Sequence, residues 1–161
     1  MMSSHLPSTR TVPFATTLVV RDHCLCLHTQ RAARRLARCF DDALRPLGLK
    51  SGQFSLLMSL NRPQPPTLGS VAELLAMDRT TLTANLKPLE REGLIEVRPD
   101  QEDRRARRLL LTEKGQGLLA RAVPIWTKTN AEIEGALGAG TADRLRSDLA
   151  TMVRHVDGAV G

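Results

Sequence analysis

Two stretches of this 161-residue chain carry side chains suited to holding a polyanion. The first runs from Asp78 to about Gly93. At a helical turn per residue of about 100°, Leu82, Leu86 and Leu89 fall on one side, and the other side collects Thr80, Ala84, Lys87 and Arg91, with Thr83 at the edge. Arg79 and Thr81, at the start of the same helix, are counted with that polar face. Threonine hydroxyls and methyls meet base edges and phosphates, and Lys or Arg neutralises phosphate or reads guanine, so this face suits the major groove of duplex DNA. The second stretch, Arg98 to Arg107, is polar and turn-forming and lies between two strand-like runs. The tip so formed has Arg104, Arg105, Arg107 and, at the start of the second run, Arg108. An arginine on a thin hairpin can enter the narrow minor groove, where negative potential is focused. Asp103 stands two residues before Arg105, and its expected role is to pin a wing arginine by an ion pair and orient the tip. A hairpin charged only for solvation is the plain alternative, and the helix pair before it weighs against that reading.

The cysteines form a third set: Cys24, Cys26 and Cys39. His28 follows Cys24 by four residues, on the same side of a helix, where it would polarise the thiol or supply half of a metal site. No second half follows in the sequence, so no metal is expected. On one helix, Cys24 and Cys26 point about 200° apart and Cys39 lies about 20 Å further on, so an intrachain disulfide is not expected. A cross-subunit disulfide stays open, as does the plainest role, three small buried apolar residues.

These side chains need elements to place them. Ala33, Leu36, Phe40, Leu44 and Leu47 predict a helix from about Leu18 to Leu47, stopped by Gly48. Ser51 is the expected cap of a second helix holding Phe54, Leu57, Met58 and Leu60. Asn61 to Pro66 is a proline-rich loop. A short helix around Val71, Leu74 and Leu75 precedes Asp78, the expected N-cap of the polar-faced helix. Pro88 inside that helix removes the bond to the Ala84 carbonyl. Leu94–Val97 and Arg108–Leu111 read as a hairpin. Thr112 opens a further helix striped by Leu118, Ala122, Ile125, Trp126 and Ile133, with Pro124 as a candidate kink beside a hinge. After the Gly138–Gly140 break comes a last helix, capped by Thr141 and lined by Leu145, Leu149, Met152 and Val156. The expected class is mainly α with a small β-hairpin wing (α+β), a winged helix-turn-helix plus terminal dimerisation helices. The division is 1–15 as a flexible arm, 16–50 as a first dimerisation helix, 51–115 as the DNA-binding region and 116–161 as C-terminal dimerisation helices. Terminal helices with one long apolar side predict a symmetric dimer.

Composition narrows the classes. The net charge is +6, 42% of residues are hydrophobic and 25% charged, an ordinary globular balance with a basic bias. Aromatics make up 2% and tyrosine is absent, which disfavours surfaces built on ring stacking. Three cysteines do not make a secreted disulfide framework, no apolar run is long enough for a membrane helix, and the N-terminus lacks a signal pattern. The expected location is therefore the cytoplasm. No cofactor loop, general base or carboxylate pair is present, so neither a cofactor nor catalysis is expected. A thiol peroxidase using Cys26 and an interaction dimer without DNA binding are the remote rivals.

The stretch from Val71 to Gly115, VAELLAMDRTTLTANLKPLEREGLIEVRPDQEDRRARRLLLTEKG, resembles the winged helix-turn-helix of the MarR family of bacterial transcriptional regulators. The carrying elements are LTANLKPLEREGLI, the wing DQEDRRARRLLLTEKG and the Asp103-x-Arg105 pair. The likeness extends through ALRPLGLKSGQFSLLMSL and ARAVPIWTK. It implies an obligate homodimer held by the first, fifth and sixth helices. It also implies a pseudo-palindromic double-stranded operator, with the Asp78–Arg91 helix in the major groove and Arg105 at the minor groove. Most members are repressors released by small phenolic or lipophilic ligands, or by oxidation. Counted without gaps to Gly48, Cys26 and Arg34 match the hydroperoxide-sensing branch of the family. That branch activates its thiol with tyrosines, and here Gln30, Phe40, Ser51 and Phe54 stand at the corresponding positions.

The expected function is a sequence-specific DNA-binding regulator, a repressor released by a small aromatic or lipophilic effector. The alternative within it is thiol-based sensing through Cys26 or Cys24. A basic stripe of Arg31, Arg34, Arg35 and Arg38 adds pull towards DNA, meets acidic groups of a partner subunit, or is simply solvated.

Overall fold

The computed structural model describes residues 11–103 and 105–159. The chain divides into two compact units, one ending at Leu36 and one beginning at Ala37.

The first unit holds α1 (Phe14–His23) and the N-terminal part of α2 (Leu25–Leu44). One continuous helix from Leu18 is not what forms. Cys24 leaves helical geometry at φ −74° and ψ 106°, and its Sγ accepts the Leu27 amide at 3.4 Å, so it caps the start of α2. Helix begins at Phe14, inside the segment expected to be a flexible arm; residues 1–10 of that arm lie outside the described residues.

The second unit carries the core. After α2 a single 3-10 turn (Arg45–Leu47) ends at Gly48, whose φ of 65° suits glycine. Helix α3 (Ser51–Leu60) follows, then α4 (Leu68–Leu74), α5 (Arg79–Arg91), a hairpin of β1 (Ile95–Pro99) and β2 (Arg107–Leu111), α6 (Glu113–Leu137) and α7 (Thr141–Ala159). Lys50 is the residue before α3, and Ser51 is its first residue rather than its cap; the Ser51 amide donates to Asp41 at 2.7 Å. The expected caps Asp78 and Thr112 are observed, accepting the Thr81 and Gly115 amides. Thr141 is the first residue of α7.

Leucines from every layer meet in one core. Leu44, Leu57, Leu82, Leu89 and Leu109 are all fully buried, with Val71 and Ile95 beside them. Burying each such side chain contributes about 1.5–3 kcal/mol, which is why α3, α4, α5 and the hairpin hold as one body. The hairpin is antiparallel, with Ile95 opposite Leu111 and Pro99 opposite Arg107. An antiparallel bridge joins Thr67 to Arg108 on β2, near the turn end of the hairpin. This is the expected mainly helical fold with a two-stranded wing.

Candidate nucleic-acid interface

Helix α5 buries Leu82, Leu86 and Leu89 and leaves Thr80, Thr83, Lys87 and Arg91 exposed. The three-and-four spacing of the leucines sets that division, since the core takes one face and the remainder points to solvent. The Asp78 cap fixes where the helix starts. Its carboxylate accepts the Thr81 amide at 2.8 Å and the Thr81 hydroxyl at 2.6 Å, which hold it below the usual carboxylate range.

The individual hydroxyls divide differently from the expectation. Thr81 is exposed, but its hydroxyl belongs to the cap. Thr83 donates its hydroxyl to the Arg79 carbonyl at 2.7 Å, which leaves its methyl and its remaining lone pair for an outside partner. Thr80 has no hydrogen bond from its hydroxyl among the described residues. The Arg79 guanidinium leans over the start of α4, with NH2 3.2 Å from where a Cβ on Gly69 would stand. Lys87 and Arg91 form no ion pair among the described residues.

At the wing, Arg105 and Arg107 are exposed, while Arg104 lies outside the described residues. Asp103 orients the tip by a different bond from the one expected. Its carboxylate accepts the backbone amide of Arg105 at 2.9 Å, and no ion pair joins it to an arginine among the described residues. The Asp–Arg pair of the wing is Asp100 with Arg108. A carboxylate that caps the turn leaves the Arg105 guanidinium available, which suits contact with DNA better than the expected pairing would.

Sequence reasoning treated Asp100 only as a turn former and Arg108 as one more tip cation. Pro99-Asp100 marked the turn, but nothing local shows that the Asp100 carboxylate folds inward. The junction of α5 with α6 was also missed. Lys114 Nζ donates to the Glu92 carbonyl at 2.6 Å, and the Thr112 hydroxyl lies 2.8 Å from the Gly93 carbonyl.

The cysteines are placed as follows. Cys24 is half-buried, while Cys26 and Cys39 are exposed, against the reading of three buried residues. Cys24 and Cys26 do not share one helix, so the opposed directions assumed for them do not apply. His28 Nε2 faces the Asp22 carbonyl at 3.2 Å rather than Cys24. Cys26 Sγ accepts the Gln30 amide at 3.2 Å, and Gln30 in turn accepts from Arg34 at 3.0 Å. Among the described residues, no three His, Cys, Asp or Glu side chains gather as a metal-binding group.

A helix-turn-helix whose second helix shows hydroxyls and cations, followed by an arginine-tipped hairpin, defines a winged-helix DNA-binding protein. The comparisons give the family. The MarR family profile matches residues 49–106. The Mycobacterium tuberculosis transcriptional regulator MosR, solved in complex with DNA, is 37% identical; the match has a TM-score of 0.77 and covers 86% of this chain and 100% of that one. The transcriptional repressor CouR bound to a 23-mer DNA duplex is 31% identical, with a TM-score of 0.73 over 83% of this chain and 94% of that one. CouR bound to p-coumaroyl-CoA is 29% identical, with a TM-score of 0.74 over 84% and 96%. This chain belongs to the MarR family of DNA-binding transcriptional regulators.

Proposed function

We propose that the protein is a dimeric repressor, a binding protein rather than an enzyme, which releases its operator when a small aromatic or lipophilic molecule binds. The observation that carries it is the exposed face of α5, with Thr80, Lys87 and Arg91 outward over a buried leucine row, and an exposed Arg105 that forms no ion pair among the described residues. MosR in complex with DNA and the repressor CouR, with DNA in one structure and p-coumaroyl-CoA in another, support the reading by similarity. A regulator of bacterial DNA works in the cytoplasm, and among the described residues no helix is long and apolar enough to cross a membrane.

The dimer is supported by α7, where Leu145, Leu149, Val153 and Val156 are exposed at helical spacing. An uncovered apolar stripe of that length marks an interface, and a second copy makes it self-complementary. An effector has a candidate cavity of about 340 Å³ lined by Asp41, Gln53, Leu56, Met77, Asn85 and Pro88. Asn85 and Pro88 belong to α5, so occupancy bears on the reading helix directly. A ligand that favours another spacing of the two reading helices by roughly 2–3 kcal/mol lowers operator affinity about 30- to 150-fold.

The test is fluorescence anisotropy on a duplex enriched by the protein from a randomised pool. Tight binding that resists competitor and weakens steeply with salt supports the reading. Arg105→Ala is expected to weaken that binding by about 1–3 kcal/mol, roughly 5- to 150-fold, while the dimer persists in sedimentation. Binding as tight as the parent's at matched salt removes the wing from the interface. Turnover of peroxide with a thiol reductant would argue for an enzyme.

A second reading is favoured by the Gln30–Cys26 hydrogen bond. The amide donor, itself held by Arg34, takes the place of a phenol at the thiol. The thiolate sulfur attacks one oxygen of a hydroperoxide and the O–O bond breaks. Cys26 becomes a sulfenic acid, and the leaving alkoxide takes a proton from water. Loss of DNA binding on peroxide treatment, abolished in Cys26→Ser and restored by added thiol, would place sensing there. An unchanged oxidant response in Cys26→Ser rejects it.

A further inference from the structure

Asp100 is 8% exposed, and it is the ionisable residue most withdrawn from solvent among the described residues. Its carboxylate is saturated. Oδ1 accepts the amides of Glu102 at 2.8 Å and Asp103 at 2.9 Å, and Oδ2 pairs with Arg108 Nε. These bonds hold it well below the usual carboxylate range, at about 2. Asp100 is therefore charged at neutral pH, where it meets the Arg108 guanidinium. The other branch of the Arg108 guanidinium reaches out of the hairpin, where NH1 donates to the Pro65 carbonyl at 2.9 Å. One residue on, the Leu109 amide donates to the Pro66 carbonyl at 2.9 Å, and Thr67 then caps α4 by accepting the Ser70 amide. A continuous set of bonds thus runs from the tip turn through Asp100 and Arg108 to the start of α4, the first helix of the pair that presents α5.

An isolated two-stranded hairpin is marginal in water. A wing that must put one side chain into a minor groove needs its angle to the reading helix set beforehand, because ordering it on binding would cost affinity. The neutral backbone bond at Leu109 ties the middle of β2 to the Pro66 carbonyl, and the planar, two-pronged guanidinium of Arg108 fixes the turn above it.

We propose that Asp100 and Arg108 are positioning residues for DNA binding, a clamp between the wing turn and the Pro65 carbonyl that sets where Arg105 stands relative to α5. Arg108 then acts first within the protein, although it sits in the arginine run: Nε and one terminal nitrogen of its guanidinium are committed to Asp100 and the Pro65 carbonyl, with the side chain 40% exposed. This inference rests on the DNA-binding reading and adds to it a division of labour among the wing arginines.

The experiment uses the full chain and a duplex enriched by the parent protein from a randomised pool. Asp100→Asn and Arg108→Lys are compared with Arg105→Ala, alone and combined. Arg108→Lys keeps the charge, but one ammonium cannot reproduce the two-pronged geometry, and it serves if Asp100→Asn proves unstable. Each clamp variant is expected to lose about tenfold in operator affinity, a coupling-sized effect. Hydroxyl-radical protection of the minor groove should fade, while guanine N7 protection in the major groove persists. In the Arg108→Lys background, Arg105→Ala should cost under about threefold, because Arg105 is already misplaced. A wing damaged only in stability would instead give additive losses with unaltered minor-groove protection, and that outcome overturns the clamp. If the parent enriches no duplex, the DNA-binding reading fails and the clamp with it. If the parent binds and both clamp variants bind equally well, the clamp alone is overturned.

Discussion

Gly115, in the first turn of α6, lies so close to the Leu94 carbonyl that a Cβ there would overlap the oxygen and stand 2.8 Å from Leu111 Cδ1. The hydroxyl of Thr112 lies 3.0 Å from the same carbonyl, and the Thr112 amide donates to it at 3.1 Å. With Lys114 on the Glu92 carbonyl, the last acceptors beyond α5 are met by the first residues of α6. These contacts tie the chain just beyond the reading helix to the first turn of α6.

Gly115→Ala is expected to destabilise the fold by roughly 2–3 kcal/mol, the usual cost of forcing a methyl into a packed site. Urea unfolding followed by circular dichroism reads the loss as a lower midpoint at unchanged slope. A midpoint within error of the parent's would mean the contact yields easily and does not join the two helices.

Neighbouring threonines on α5 should separate stability from recognition. Thr81 spends its hydroxyl on Asp78, whereas the Thr80 hydroxyl has no such bond. Thr81→Val is expected to lower the thermal midpoint by a few degrees, as loss of a cap bond does, with little change in operator preference. Thr80→Val should leave the midpoint alone and alter affinity or base preference. The reverse pattern would show that the cap was misassigned to stability and that Thr81 faces the DNA.

In the second unit, acid should act through four carboxylates. Asp100 is held at about 2 by amides and Arg108. Asp78, Asp41 and Glu134 are held below their ordinary values, chiefly by Thr81, Ser51 and Arg146 respectively. Each folded value lies below the unfolded one, near 3.9 for Asp and 4.3 for Glu. The stability they contribute is therefore complete above about pH 5 and is lost as pH falls, for Asp100 down to about 2. Unfolding midpoints measured from pH 6 to 2.5 should hold steady and then drop. In Asp100→Asn the drop should be shallower, and an identical drop would show that Asp100 is not held in this way.

Much of this protein was legible in its sequence because it is set by local periodicity. Leu82, Leu86 and Leu89 can occupy one core only if Thr80, Lys87 and Arg91 face away, and the change from a period of 3.6 to one of two at Leu94 announces the wing. Asp78 and Thr112 are caps because their short side chains reach amides only three residues on, and that reach needs no tertiary partner. Tertiary structure decided what depends on distant atoms. Cys24 interrupts the first helix with no proline or glycine to signal it. Asp103 takes the backbone amide of Arg105, and among the described residues no guanidinium pairs with it. Asp100 turns inward because Arg108 is there to meet it, and Arg108 is fixed because the Pro65 carbonyl lies across the loop. Helical and strand periods follow from backbone geometry and are written residue by residue. The choice of partner for a charged side chain follows from which groups the fold brings within about 3 Å of it, and that is a property of the packed chain.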